Sequence, residues 1–420
     1  MKGMAKDRPA NPAARPVCFP FTGDVVGGSH FSVLGLVENL DPSRYVPVIV
    51  PQFPDGAVAK LFRDHGIRTE TPLHWTELPY DRNVSPWKIA QVAKDIPSQI
   101  RYLRSRRYPV VHTNDGRTHA TWALAARLSG ARLLWHQRGD PGALGLRLAA
   151  PLLANQVVAV SQFASPRPGL WSAARKAQVV HSAFATDVQE DRASARAQLI
   201  NELGCDPRTV FIGFFGAFIP RKRPKLFMDA IAELAGRDLP RPVMGLMFGE
   251  AYDGGRTERE LKDHGRQRGM GNIVRQMGFR TPGPHWLAAC DMLLVSAHGE
   301  PFGRTLIEAM LVGTPVVATA SGGNIEALCE GATGILVPPE DAAALANGAQ
   351  ALIKRPETAQ ALASAAMASA KSRFGDRSHA ERIMAVYDEM LRIPLPNAAD
   401  RSGPSSPSIK PLGLKSEATS

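Results

Sequence analysis

Cysteine is scarce: four in 420 residues, Cys18, Cys205, Cys290 and Cys329, far apart and with no C-x-x-C pair. That argues against a disulfide framework or a thiolate zinc site and fits a reducing compartment. Long apolar runs are missing too. The longest apolar region, Leu144 to Val160, is interrupted by Arg147, Pro151, Asn155 and Gln156, too broken to span a bilayer. Met1 to Arg15 is polar and Pro/Ala-rich with no apolar h-region, so no secretory signal is expected. No solenoid-period repeat occurs. No helix-turn-helix, zinc or aromatic-basic RNA module supports a nucleic-acid partner. No two aspartates stand as Asp-x-Asp, a spacing that can hold a divalent cation. The expectation is a soluble, cytoplasmic protein with no nucleic acid bound and no metal.

What is present is ordinary for a globular chain: 44% apolar and 21% charged residues. The length is too great for one core and suits two domains. A formal net charge of +11 favours anionic partners, whether nucleotide phosphates, an anionic membrane or nucleic acid.

Short apolar runs alternate with longer helical patterns, the signature of βαβ units and parallel sheets. Val17–Phe21, Val46–Val50, Val110–Thr113, Arg132–His136, Val157–Val160 and Val179–Ser182 read as strands of a first half. Thr209–Phe215, Val243–Phe248, Ile273–Gln276, Asp291–Val295 and Pro315–Thr319 read as those of a second. Two doubly wound halves in tandem predict a ligand in a cleft between them, at the carboxyl ends of the strands. The expected organisation is a disordered tail over 1–15, a Rossmann-like domain over 16–186, a second over 187–376 and a disordered Pro/Ser-rich tail over 394–420. An amphipathic helix over 377–393 is expected to pack back on the first domain.

The chemistry concentrates in His298-Gly-Glu-Pro-Phe-Gly-Arg-Thr-Leu-Ile-Glu-Ala-Met310, just past an apolar strand. Thr305 and Glu308 have capping-box spacing, which predicts a helix with Thr305 as its N-cap. Gly303 lets backbone approach a ligand closely, and a helix N-terminus presents N–H groups to an anion such as a diphosphate. Glu300 and Glu308 flank the turn, and carboxylates accept from the paired hydroxyls of ribose and sugar rings.

The run Glu300-Pro-Phe-Gly-Arg-Thr-Leu-Ile-Glu308, followed by Gly-Thr-Pro-Val-Val-Ala and Gly322-Gly-Asn-Ile-Glu, resembles the E-x7-E region of the GT4 retaining glycosyltransferases, also called glycosyl transferases group 1. The continuation Gly334-Ile-Leu-Val-Pro-Pro-Glu-Asp resembles that family too. Gly213-Phe-Phe-Gly-Ala-Phe-Ile-Pro-Arg-Lys-Arg-Pro224 is similar to the family's strand and loop that bring an Arg and a Lys to the donor diphosphate.

The resemblance implies an α/β fold of GT-B type: two Rossmann-like doubly wound parallel-sheet domains facing a central cleft. It implies transfer of a hexosyl-type sugar from a nucleotide-diphosphate donor to a glycan or lipid-linked acceptor, with retention of configuration. Carried over by position, Glu300 contacts the donor sugar and Glu308 the ribose. Lys222 falls on the diphosphate lysine. Gly216, Phe302, Gly303, Arg304 and Thr305 belong to the donor loops.

The family's arginine directly after the glycine is Ala217 here; Arg221 or Arg223 could supply that charge, and the sequence does not say which. His136, beside Trp135, reads either as a packing residue or as the family's histidine on the sugar's hydroxymethyl group. Gly27 and Gly28 occupy the place of the family's acceptor-side glycine loop, although turn geometry alone explains such pairs as well. Preorganised donors at the diphosphate would be the main catalytic term, with no metal and no cofactor beyond the donor itself.

Two rival readings keep this architecture: a degenerate relative that binds a sugar nucleotide without transfer, suggested by Ala217, and a sugar-nucleotide epimerase. Pro86–Tyr108, with Trp87, Ile89, Ile96, Ile100 and Leu103 among six basic residues, reads either as a core-facing helix with a solvated basic side or as a helix lying on the anionic inner face of the cytoplasmic membrane.

Overall fold

The computed structural model describes residues 14–71, 73–78 and 85–392; the tail expected over 394–420 and all but the last two residues of that expected over 1–15 lie outside them. The chain divides into two compact units. One holds residues up to Ala185 together with those from Phe374; the other is Thr186–Arg373.

The first unit runs β1 (Arg15–Phe21), α1 (Gly28–Glu38), β2 (Tyr45–Pro51), α2 (Ala57–Asp64), α3 (Pro86–Ser105), β3 (Val110–Thr113), α4 (Gly116–Ser129) and β4 (Arg132–Gln137). A single π-helical stretch, Gly145–Ala149, then enters α5 (Ala150–Leu153), followed by β5 (Gln156–Ala159) and β6 (Ala177–Val179). All pairings are parallel, in the order β2-β1-β3-β4-β5-β6. Both faces are covered, so the strands read as continuous Val/Ile/Leu/Phe runs rather than alternating ones. The last described helix, Asp376–Leu391, belongs to this unit. It buries Ala380, Ile383, Val386 and Tyr387 in the core formed by β1, β2 and α1. Its buried Asp388 accepts from Tyr45 Oη at 2.8 Å and pairs with Arg44, so the helix is pinned to β2 by charge as well as by packing.

The second unit runs α6 (Arg192–Leu203), β7 (Val210–Phe215), α7 (Pro224–Ala235), β8 (Val243–Phe248), α8 (Arg256–Gln267), β9 (Val274–Gly278), α9 (Gly283–Ala289), β10 (Met292–Val295), α10 (Arg304–Leu311), β11 (Val316–Thr319), α11 (Asn324–Ala327), β12 (Ile335–Val337), α12 (Ala342–Lys354) and α13 (Pro356–Arg373). Its parallel order is β12-β11-β10-β7-β8-β9. Helix ends follow local chemistry. Asp191 caps α6 through the N–H groups of Ala193 and Ser194, and Gly204 stops it at φ +58°.

Two expectations shift, and a pair of alternatives is decided. Arg15, expected in the tail, already pairs with Tyr45 as the first residue of β1. The strand expected over Val179–Ser182 lies at Ala177–Val179, because Phe184 leaves the ladder to pair with Gly375. Of the two readings of the helix from Pro86, its apolar side takes the core-facing one: Tyr102 and Leu103 are buried and Ile96 and Ile100 half-buried. Only Trp87 and Ile89, near its start, stay exposed, with Lys94 Nζ 5.7 Å from the Trp87 ring. No described helix is long and apolar enough to cross a membrane.

Candidate active site

In an open parallel sheet, ligands sit at the carboxyl edge where the strand order reverses direction. In the second unit that point lies between β7 and β10. The loop after β7 carries Gly216, Arg221 and Lys222; the loop after β10 carries Glu300 to Gly303; the neighbouring β11 delivers Gly322 and Gly323. Three adjacent strand ends thus bring the sequence-predicted residues together.

Glu300 is the centre of this cluster. Its carboxylate is 6% exposed, and Oε2 accepts from Arg221 Nη1 at 2.6 Å and from Lys222 Nζ at 2.9 Å. Burial alone would raise its pKa. The charges of Lys222 and Arg221, with their hydrogen bonds, outweigh burial and hold the carboxyl below its ordinary value. The cations are set by backbone. Ser296 Oγ donates to the carbonyls of Lys222 and Arg223, and the N–H of His298 donates to that of Arg221. Gly216, at φ +139°, leaves the space over which the Lys222 stem lies: a Cβ there would stand 3.3 Å from Lys222 Cε. Arg223 turns away to Glu340 at 2.6 Å, so of the two candidates raised by Ala217, Arg221 is the one that reaches this cluster.

The loop after β11 is laid directly on Glu300. The N–H of Gly323 donates to the Glu300 carbonyl at 2.6 Å, and Gly322, at φ +67°, pairs with Glu300. A Cβ on Gly322 would stand 2.3 Å from that carbonyl oxygen. Gly322→Ala therefore combines left-handed strain with a backbone clash. The expected loss is roughly 2–5 kcal/mol of stability in chemical denaturation, against no more than about 0.5 kcal/mol for an exposed control.

The helix after Gly303 differs from the expected one. Thr305 is not its N-cap. Gly303, at φ +83°, starts the helix two residues earlier, and its carbonyl accepts from the N–H groups of Leu306 and Ile307. Thr305 thus lies in the first turn, and Glu308 bonds Arg304 through Oε1 at 3.1–3.2 Å instead of closing a capping box. The positive end of the α10 dipole directly follows the Glu300 loop. Phe302 is buried beneath it. Sequence reasoning missed Asn324, fully buried, whose Nδ2 donates to the Thr319 carbonyl while Oδ1 has no partner. Its Oδ1 would lie 3.3 Å from a Cβ on Gly303; the only signal for it was its place in Gly322-Gly-Asn.

In the first unit the order reverses between β1 and β3. Gly27 and Gly28 follow β1 at the start of α1, where the Gly27 N–H donates to His30 Nδ1 at 3.1 Å. Gly27 is extended, with φ −146°, so its backbone does not require glycine. His136, near the end of β4, is fully buried. Its Nδ1 lies 3.2 Å from Arg138 Nη2 and 3.0 Å from His112 Nε2. A guanidinium only donates, so Nδ1 accepts and the proton of the neutral ring stands on Nε2, which has no partner. His112 in turn meets Tyr387 Oη at 2.6 Å, and Arg138 also donates to Asn114 and Ser182. Of these five residues, Tyr387 and Ser182 come from distant parts of the sequence, and no local pattern announced the network.

Residues 196–368 match the family model described as Glycosyl transferases group 1, nearly the whole second unit. That unit belongs to the glycosyl transferases group 1 family. Over 195 residues the chain is 33% identical to the lipopolysaccharide core biosynthesis mannosyltransferase LpsB of Rhizobium meliloti, covering 45% of this chain and 54% of that protein. Over 165 residues it is 33% identical to the D-inositol 3-phosphate glycosyltransferase of Frankia alni, covering 37% and 40%. The chain thus spans about half, or less, of the length of these curated relatives. Among solved structures, Anabaena HepE in complex with UDP-glucose superposes with TM-score 0.74 at 25% identity, over 89% of this chain and 99% of that one. Sucrose-phosphate synthase from Thermosynechococcus elongatus gives 0.71 at 20%, over 90% and 99%. The fold is GT-B.

Proposed function

We propose that the chain is a glycosyltransferase that moves a hexosyl group from a nucleoside-diphosphate sugar to a glycan or glycolipid acceptor, with retention and without a metal. The observation that carries this reading is the Glu300 carboxylate held between Lys222 and Arg221, beside the start of α10, at the switch point of a group 1 domain. In transfer the anomeric C–O bond to the diphosphate breaks and its electron pair stays on the diphosphate oxygen. The acceptor hydroxyl forms the new C–O bond on the same face and gives its proton to that oxygen. Lys222, Arg221 and the first-turn N–H groups of α10 are aimed at the charge that grows there. Glu300 orients both cations and accepts from sugar hydroxyls; Glu308 accepts from the ribose. The unpartnered Nε2–H of His136 suits a sugar oxygen, and Gly27–Gly28 the acceptor side.

The mannosyltransferase LpsB and the UDP-glucose complex of HepE support a mannosyl or glucosyl donor. LpsB is named for a lipopolysaccharide core, the Frankia relative for D-inositol 3-phosphate, and a lipid-linked acceptor would place the work in the cytoplasm at a membrane's inner face. The rival reading, binding without transfer, rests on Ala217. The reach of Arg221 to Glu300 supports transfer instead. The test is a thermal-shift screen against UDP, GDP, ADP and their hexose conjugates. One nucleotide series should raise the melting temperature, as saturation at about 100 times Kd stabilises by about 2.7 kcal/mol, and Glu308→Ala should abolish the shift. No shift with any nucleotide would remove the donor site. A shift with neither donor hydrolysis nor transfer would leave only the binding relative. Activity unchanged by EDTA is part of the same expectation.

A further inference from the structure

The chain's positive charge is not spread evenly. Residues 86–180 hold fourteen Lys and Arg against three Asp and Glu, which equals the whole formal excess of +11. In the same segment lies an apolar surface that the fold does not use. Helix α4 turns Trp122, Ala123 and Ala126 into the core and leaves Leu124 and Leu128, one turn apart, exposed. The π-helical turn and α5 do the same: Leu146 and Ala150 enter that same core, while Leu144, Leu148 and Leu152, at successive four-residue steps, are 69%, 58% and 61% exposed. Since α4 and α5 bury their inner sides in one cluster, their outer leucines belong to one layer.

Around these leucines the exposed charges are mostly basic; Asp140, four residues before Leu144 and accepting from the Gly142 N–H, is the acidic side chain at the edge. Arg127 and Arg147 alternate with them along the two helices, and Arg101 and Arg104 stand on α3, which packs into the same cluster through Tyr102 and Leu103. Arg104 is fixed there by donating to the carbonyls of Leu128 and Ser129. Lys176 Nζ donates to the carbonyls of Pro151 and Ala154 at 2.7 Å, closing the end of α5.

We propose that this layer, Leu124, Leu128, Leu144, Leu148 and Leu152 with its arginine rim, docks on an anionic lipid bilayer. Leucines rimmed by Arg match an interface where acyl chains lie just below anionic headgroups. A nucleic acid would meet the charge but leave five leucines in water. A second copy of the chain would bring arginine against arginine across a two-fold contact. The proposal deepens the reading of a lipid-linked acceptor, and the two fail separately, because vesicle binding is measured with no donor present.

The full chain is co-sedimented with phosphatidylcholine vesicles with and without phosphatidylglycerol. Binding is expected on the anionic vesicles only, weakening as salt rises. The triple variant L144Q/L148Q/L152Q should bind about tenfold or more weakly, and each of R127Q and R147Q about fivefold, with unchanged circular dichroism and an unchanged nucleotide-induced thermal shift. An independent reading needs no loss of binding: the emission added by Leu148→Trp should move to the blue on anionic vesicles. No binding to anionic vesicles would overturn the proposal. So would binding that the triple variant keeps, a Leu148→Trp emission that stays put, equal competition by single-stranded DNA, or a wild-type dimer that the triple variant dissociates.

Discussion

Lys222→Ala should lower kcat by about 10²–10³-fold, the size of effect seen when one preorganised donor is removed from a developing oxyanion. The ground is geometric. The Lys222 side chain is 14% exposed, its stem lies over Gly216, and its charge is fixed on Glu300 at 2.9 Å. A cation held in place before the diphosphate departs need not reorganise when the charge appears, and partial burial spares it most of the screening of salt water. Arg221 shares the carboxylate but its side chain is 37% exposed, so Arg221→Ala should cost less, by about tenfold in the rate. Glu300 keeps one cation in either variant, which protects the fold from an unpaired buried charge. The check is steady-state kinetics on whichever donor the thermal screen selects, with the melting temperature of the donor-free protein beside it. If both variants stay within threefold of the parent in kcat, charge stabilisation by this loop is wrong.

The residues of this loop were legible in the sequence, because they lie in two contiguous runs whose order matches the order of contact. Glu300, Gly303 and Glu308 share one strand-loop-helix segment, and Gly216, Arg221 and Lys222 share another; a parallel strand end is what brings each run to the sheet's edge. The doubly wound fold was legible for a similar reason, since buried parallel strands read as unbroken apolar runs such as Val243–Phe248. Local rules failed where a stronger constraint overrode them. Thr305 and Glu308 keep capping-box spacing, yet the left-handed Gly303 starts the helix first. The three-residue strand Ile335–Val337 is too short to show a period. The surroundings of His136 were invisible because His112 reaches it from β3 and is itself held by Tyr387, 275 residues further on. Nothing in the sequence shows that Arg138, two residues past His136, folds back on the ring.

That same histidine cluster gives the second large effect: the first unit should lose a large share of its stability between pH 7 and pH 5. His112, His119, His136 and His379 are all buried. For each, burial is the foremost cause of a pKa below the ordinary histidine value, and the Arg138 guanidinium deepens it. His119 and His379 are pushed down to about 3. In the unfolded chain all four take up protons near pH 6.5. Below that pH the unfolded state therefore binds more protons than the folded one, so stability is complete above about pH 7 and falls as acid is added, until the folded values are reached. Each site contributes up to about 1.4 kcal/mol per pH unit. His119 and His379 alone reach roughly 4 kcal/mol by pH 5, a large share of the 5–15 kcal/mol that holds a domain, and His112 and His136 act in the same direction. Carboxylates do not supply this window, because ordinary Asp and Glu titrate below it. Urea unfolding followed by tryptophan emission reads this unit well, since Trp75, Trp122 and Trp135 lie in its core and Trp286 is the second unit's only tryptophan. The midpoint should drop steeply from pH 7.5 to pH 5.5. His119→Gln, which removes one titrating ring from its stack on Trp135, should lower the slope by about one proton. A midpoint that does not move between those two pH values would mean that the buried rings find protons, or water, that the packing around Arg138 excludes.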